Sequence, residues 1–269
     1  MKTKPVLISL LFLPTLALAD PLLEIRTDFP GGNAKVIENQ DETIHLEPDL
    51  RGDNPWFYWL LEAKAKRAGK ATFVLPEKVI GQKNGAIGHQ GPAISRDGGK
   101  SWSWMGTDSV NENTFQVEFS KAGETVRLGV TIPYTTKDLN EFLKRNQSNP
   151  HLETGELTRS SKDRPVELLQ IGSPGEGKKA VLFTARHHAA ETIASYVLEG
   201  IIEEAMSESS ESGKAFRENH VLYCVPLVDK DGVEDGDQGK NRKPHDHNRD
   251  YTAEPIYPEV KAIQALHRK

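Results

Sequence analysis

Between residues 22 and 133, apolar positions come in short runs, many alternating with polar ones, separated by clusters of Gly, Pro, Asn and Asp. TIHLEP, WFYWLLEAKA, KATFVL, TFQVEFS and ETVRLGVTI have the length and period of strands, and no 3.6-residue stripe of useful length interrupts them. Short strands with frequent turn signals predict an all-β antiparallel sandwich over residues 20–133. From Tyr134 the pattern changes. TTKDLNEFLKRNQ sets Leu139, Phe142 and Leu143 on one face, which predicts a helix with Thr136 or Asp138 near its N-cap. After a polar stretch to Lys162, PVELLQIG, KKAVLFTA and HVLYCVPLV are near-continuous β-branched and apolar runs. Such runs are buried on both faces of a mixed or parallel sheet. Between the last two lies AETIASYVLEGIIEEAMSES, where Ile193, Val197, Ile201 and Ala205 recur every four residues beside Leu198 and Ile202. Strand, helix, strand predicts an α/β domain over residues 134–269. SESSESG reads as a solvated helix exit, and PEVKAIQALHRK as a final helix that starts at Pro258 without a cap.

The first residues change the picture of where the chain works. MKTK, the apolar run PVLISLLFLPTLAL and the small-x-small ALA before Asp20 form a signal peptide over residues 1–19. That run is shorter than the ~20 residues a membrane span needs, so no stable membrane anchor is expected after cleavage. A periplasmic or secreted location follows. The chain of 269 residues carries a formal net charge of −5. Without the leader's Lys2 and Lys4 it has 32 basic against 39 acidic residues, or −7, which gives no reason to expect nucleic acid as a partner. Cys224 is the single cysteine, so no intramolecular disulfide forms. Inside HVLYCVPLV it reads as a small buried hydrophobe rather than a nucleophile.

Candidate chemistry collects in two places. His188 and Glu191 stand three apart where a strand gives way to a helix, and a first helical turn sets such a pair on one side. An imidazole nitrogen and a carboxylate can converge there on one zinc ion. Taken alone, His-x-x-Glu is short and common, and a loop whose histidines only cap or hydrogen-bond is the simpler reading. A second cluster, DKDGVEDGDQGKNRKPHDHNRDY, follows the HVLYCVPLV strand directly and is too rich in Gly, Asp and Asn to build a core. Its Arg242 and Arg249 offer forks for a carboxylate and for a developing oxyanion. An EF-hand register from Asp229 puts Glu234 where Gly is required, and one from Asp231 ends on Arg242, so the calcium-loop reading fails. SRDGGKSW fits the Asp-box pattern of sialidase-like propellers, but with one copy it reads as a hairpin turning at Asp97-Gly98-Gly99.

Together these residues resemble the zinc metallocarboxypeptidase family, nearest the branch that includes the cytosolic carboxypeptidases. His188-Ala-Ala-Glu191 is similar to the family's first ligand motif, PLVDKDG at 226–232 to its PxxNPDG segment, and Arg242 with the Asn248-Arg249 pair to its substrate-holding residues. The resemblance implies a Zn2+ cofactor held by His188 and Glu191, with Arg242 stabilising the oxyanion formed when zinc-activated water attacks. It implies that Asn248 and Arg249 hold the free C-terminal carboxylate of a peptide substrate. That branch also carries a β-sandwich before its catalytic domain. The family's third ligand, a later His, and its general-base Glu would both follow the helix at 258–269, so an incomplete catalytic domain is expected here. His267 sits in the last turn of that helix and is no substitute, and His245 and His247 are loop histidines. A related zinc deacylase of N-acyl amino acids is one alternative. The other is a non-catalytic exported protein that binds peptide or glycan around a vestigial metal site.

Overall fold

The computed structural model describes residues 20–51, 57–76, 86–88 and 90–268, so the expected leader at 1–19 lies outside the described residues. In the first half these form strands β1 (Leu23–Arg26), β2 (Lys35–Gln40), β3 (Thr43–Glu47), β4 (Leu60–Ala65) and β5 (Gly69–Val74). After them come β6 (Ala93–Ser95), β7 (Ser103–Trp104), β8 (Val110–Asn111), β9 (Thr114–Phe119) and β10 (Thr125–Gly129). One sheet has the order β1-β4-β10-β6-β7 and the other β2-β3-β5-β9-β8. The two share one apolar core. Leu61, Ala63, Val126 and Leu128 of the first sheet lie in the same buried cluster as Ile44, Phe73, Phe115 and Val117 of the second. The alternation in TFQVEF is realised directly, with Phe115, Val117 and Phe119 buried and the residues between them not. Within WFYW, Tyr58 and Trp59 are core, and the Trp59 ring stacks on Phe115 at 6.0 Å.

One expectation needs correction. The sheets are not wholly antiparallel, because β3 and β5 pair in parallel. The chain leaves β3, runs through β4 in the other sheet and returns as β5, and such a crossover lets the second strand enter in the direction of the first. The Asp97-Gly98-Gly99 turn does join an antiparallel pair, β6 and β7, with Gly98 and Gly99 at φ 77° and 89°.

The second half opens with α1 (Thr136–Asn146), capped by Thr135 in a capping box with Asp138 rather than by Thr136. Strands β11 (Leu152–Arg159), β12 (Pro165–Ile171) and β13 (Lys179–Thr184) follow, then α2 (Ile193–Met206), α3 (Glu211–Asn219) and β14 (His220–Val225). The sheet order is β11-β12-β14-β13, antiparallel except for the parallel β13–β14 pair, so this is the expected mixed sheet with flanking helices. Two elements run against the expectations. β11 lies in the stretch read as polar loop: it is an edge strand with most of LETGELTR exposed, so no apolar alternation marks it. SESSESG is more than a helix exit, because Ser210 accepts from the Gly213 amide and starts α3. In α2 the buried face runs through Leu198, Ile202, Ala205 and Met206, while Ile193, Val197 and Ile201 of the anticipated stripe are exposed. After β14 the loop forms a short helix, α4 (Lys230–Asp235), and α5 (Pro258–His267) comes last, with Pro at its start and no side-chain cap. No helix among the described residues is long and apolar enough to cross a membrane.

The α4 loop stitches the halves together. The buried Asn33 side chain donates to Gly236 O at 2.8 Å and to Asp49 O at 3.2 Å, and accepts from the Asp49 amide at 2.8 Å. The Tyr58 amide donates to Gln238 Oε1 at 3.2 Å, and the Gly31 amide to Glu234 O at 2.9 Å. Gly236 sits at φ 75°, and a Cβ there would lie 2.5 Å from Gly32 O, so the approach admits no side chain. Asn33→Ala strands several buried polar groups at this seam. It is expected to lower stability by about 1–3 kcal/mol, read as a lower urea midpoint at unchanged m-value.

Candidate metal centre

At the carboxyl end of β13 the chain turns through Ala185–Thr192 before α2 begins. Arg186 takes a left-handed backbone, φ 63°, which a long side chain rarely adopts. Its side chain explains how the conformation is held. It is 3% exposed, with Nε donating to Ala189 O at 3.0 Å and Nη1 to Tyr134 O at 2.9 Å and Ser195 Oγ at 3.0 Å. Burial pulls its pKa down to about 10, with Tyr58 and Asp229 opposing, so the group remains cationic at neutral pH. The turn is also tied from outside: the Asp229 amide donates to Arg186 O at 2.9 Å and the Ala190 amide to Gln238 O at 3.2 Å.

The turn presents His188, 7% exposed, with Nδ1 3.0 Å from Glu191 Oε1. Two donor atoms each about 2.1 Å from one zinc ion stand roughly 3.0–3.4 Å apart, so this spacing fits a shared ion. On the other side of the ring, Nε2 lies 3.5 Å from Asp246 Oδ2 and 3.5 Å from Arg249 Nη1. Asp246 is buried. Burial works against its charge, but the amides of Asn241 and Asn248 together with His188 and Arg249 hold its carboxyl below the usual range. A carboxylate behind the Nε2 edge keeps the proton there and leaves Nδ1 free to ligate. Sequence reasoning missed Asp246. Its signal was an acidic residue between two histidines, two positions before Asn248.

The remaining candidates are spread around this pair. The Arg249 side chain is 55% exposed and also reaches Asp246 Oδ1 at 3.4 Å, and Asn248 is exposed beside it. Arg242 is committed elsewhere. Its Nη1 lies 2.9 Å from Asp229 Oδ1, and its Nη2 lies 2.8 Å from Asp229 Oδ2 and 3.0 Å from Asp237 Oδ2. Burial disfavours its charge, but the two carboxylates outweigh that and raise its pKa. His187 meets the Tyr251 hydroxyl at 2.7 Å, not Glu191, and burial pushes its pKa down to about 4. His245 pairs with Asp250 at 2.6 Å, and His247 stacks on Tyr257 with centroids 3.8 Å apart. Among the described residues, no group of three His, Cys, Asp or Glu is placed to hold a metal ion. His188 and Glu191 are the pair that could hold an ion between them, with Nδ1 and Oε1 3.0 Å apart.

Residues 139–260 match the Zinc carboxypeptidase family model. Over this segment the chain is similar to the zinc carboxypeptidase family. Members of that family are metallocarboxypeptidases that use Zn2+. Cytosolic carboxypeptidase 2 of Xenopus tropicalis is 30% identical over 153 residues, 53% of this chain and 16% of that protein. Cytosolic carboxypeptidase 6 of Caenorhabditis elegans is 23% identical over 268 residues, 91% of this chain and 58% of that protein. A solved metallo-carboxypeptidase from Burkholderia cenocepacia superposes with a TM-score of 0.76 at 22% identity, over 91% of this chain and 67% of that one. The chain thus spans about a sixth of the first relative and under two thirds of the second. The fold shared with the Burkholderia structure includes the two-sheet part, since the superposition covers nearly the whole chain.

The turn that carries His188 and Glu191 depends on Arg186. Arg186→Met leaves the Ala189 and Tyr134 carbonyls without their donor, at a cost of roughly 1–3 kcal/mol for each buried group. Hydrogen exchange at the Ala190 and Glu191 amides should accelerate more than exchange in β14.

Proposed function

We propose that this chain supplies the first two zinc ligands and the substrate-carboxylate site of an exported carboxypeptidase that removes C-terminal residues from peptides. The observation that carries the reading is the approach of His188 Nδ1 to Glu191 Oε1 at 3.0 Å, with Asp246 and Arg249 on the opposite edge of the ring. Zinc held there supplies Lewis acidity for peptide hydrolysis. Arg249, half-exposed and beside Asn248, offers a guanidinium fork to a free carboxylate. Arg242 is held charged by Asp229 and Asp237, and to stabilise an oxyanion it must exchange one of those carboxylates for the substrate oxygen. A third ligand and a general base complete such a site. We assign both to chain outside the described residues, in keeping with the further third present in the Burkholderia structure. On this reading residues 20–133 form a β-sandwich domain, residues 134–269 the leading part of the catalytic domain, and residues 1–19 a leader for export to the periplasm or beyond.

A non-catalytic binding role is favoured by one observation, the lack of a third ligand among the described residues. Metal analysis and peptide binding separate the readings. Purified protein should retain stoichiometric zinc by plasma emission, and His188→Ala and Glu191→Ala should each lose it. Zinc absent from all three proteins would sink the metal reading. Arg249→Ala should weaken binding of a peptide with a free C-terminal carboxylate about 10- to 100-fold, the loss expected for a charged hydrogen bond. It should leave the C-terminally amidated peptide unaffected, and equal losses for both would remove Arg249 from the carboxylate site.

A further inference from the structure

A groove of about 470 Å3 opens beside the metal pair, and its walls come from both halves of the chain. From the catalytic side it is lined by Glu191 and by Ile193, the first residue of α2 and 55% exposed. From the two-sheet part come Phe57, just before β4, Trp104 of β7, and Val130, just after β10. Gln90 adds an exposed amide at the rim. Thr131 and Thr192, also on the wall, satisfy each other through their hydroxyls at 3.0 Å. Glu191 is the one ionisable residue among those lining the groove, and its carboxylate is turned to His188.

We infer that this groove binds the residues immediately upstream of the scissile bond and selects apolar or aromatic side chains there. The inference rests on the carboxypeptidase reading above and gives that reading a substrate class. Direction comes from His188. Arg249 lies at the Nε2 edge of its ring and Glu191 at the Nδ1 edge, so a peptide whose carboxylate is held by Arg249 crosses the metal position toward Glu191 and enters the groove. Chemistry decides the occupant. Two aromatic rings and two branched aliphatic side chains desolvate an apolar side chain well, whereas a charged one finds no opposite charge and, if acidic, meets Glu191. Phe57, Trp104 and Val130 belong to the two-sheet part, which therefore contributes to substrate selection rather than only to stability. The Asn33, Tyr58 and Gly31 hydrogen bonds to the α4 loop hold that wall in register with the metal turn.

The test uses N-acetylated tetrapeptides with a free carboxylate, identical except that the two upstream residues are both Phe, both Gly or both Glu. Binding to the whole chain is followed by calorimetry, with and without added zinc. The Phe peptide should bind about tenfold or more tighter than the Gly peptide, from one well-buried aromatic side chain, and the Glu peptide should bind weakest. Trp104→Ala and Ile193→Ser should each remove most of the Phe advantage while leaving Gly-peptide affinity and zinc content unchanged. Ile193 is exposed, so its replacement tests the groove without burdening the fold. Equal affinity for the three peptides overturns the inference alone, as does a Phe advantage that survives both substitutions. A Phe advantage sensitive to both, in a chain that takes up no zinc, upholds the groove and overturns the metal reading. Binding of none of the peptides overturns both.

Discussion

The candidate metal centre hangs on a guanidinium buried without a carboxylate partner. Arg186 neutralises nothing; it donates to two backbone carbonyls and a hydroxyl. A buried cation so placed is costly unless every donor finds an acceptor, and that cost confers specificity. The left-handed Arg186 backbone, the reversal that returns Ala189 O to its side chain, and Ser195 in the first turn of α2 are compatible with one arrangement of the turn. His188 and Glu191 inherit their geometry from it. The spacing of the pair follows from the chain path more than from any attraction between the two residues.

A second constraint comes from the loop after β14. Four of its carboxylates meet guanidiniums: Asp229 and Asp237 share Arg242, Asp231 and Asp235 share Arg164, and Asp237 also meets Arg51 from the first half. The buried Lys230 ammonium reaches both Glu167 oxygens, at 2.7 and 2.8 Å. Glycines make this density sterically feasible. At Gly239, a Cβ would stand 2.5 Å from Ala189 N and 3.1 Å from Asp229 Oδ2, so the loop backbone lies directly against the turn that carries His188. One loop therefore contacts the first half, carries Asp246 and Arg249, and backs His188. The surroundings of His188 and the contacts to the first half share a single piece of chain.

The strands with internal alternation were legible because a half-buried sheet writes its two faces into the sequence, as TFQVEF does. β11 was not, because most of this edge strand is exposed and only Leu152 and Leu157 pack partly against the core, too few to write an alternation. α2 was recognised as a helix, but its buried face is rotated from the anticipated one. Leu198 and Ile202 pack on the sheet, and Ile193, Val197 and Ile201 do not. Periodicity establishes that a stripe exists, while the neighbours decide which edge of a wide stripe is covered. In the site, the spacing of His188 and Glu191 lets one turn pair them, and the structure puts Glu191 Oε1 beside His188 and the Tyr251 hydroxyl beside His187. Asp246 and the clamp of Arg186 could not be read that way. Each has one partner distant in sequence, His188 for Asp246 and Tyr134 for Arg186, and a lone acidic or basic residue in a polar loop carries no mark of such a partner. Arg242 shows the converse: its chemistry was legible, but its engagement by Asp229 and Asp237 was not.

Cys224 lies in β14, an inner strand of the sheet, between Leu169 of β12 and Phe183 of β13, and is fully buried. Burial pushes its thiol up to about 12, so the nucleophilic thiolate is nearly absent while the sheet is closed. The single sulfur is thus a natural gauge of sheet opening. The rate at which an alkylating reagent consumes it counts the excursions in which the middle of this sheet parts, with no engineered label and no second thiol to confuse the count.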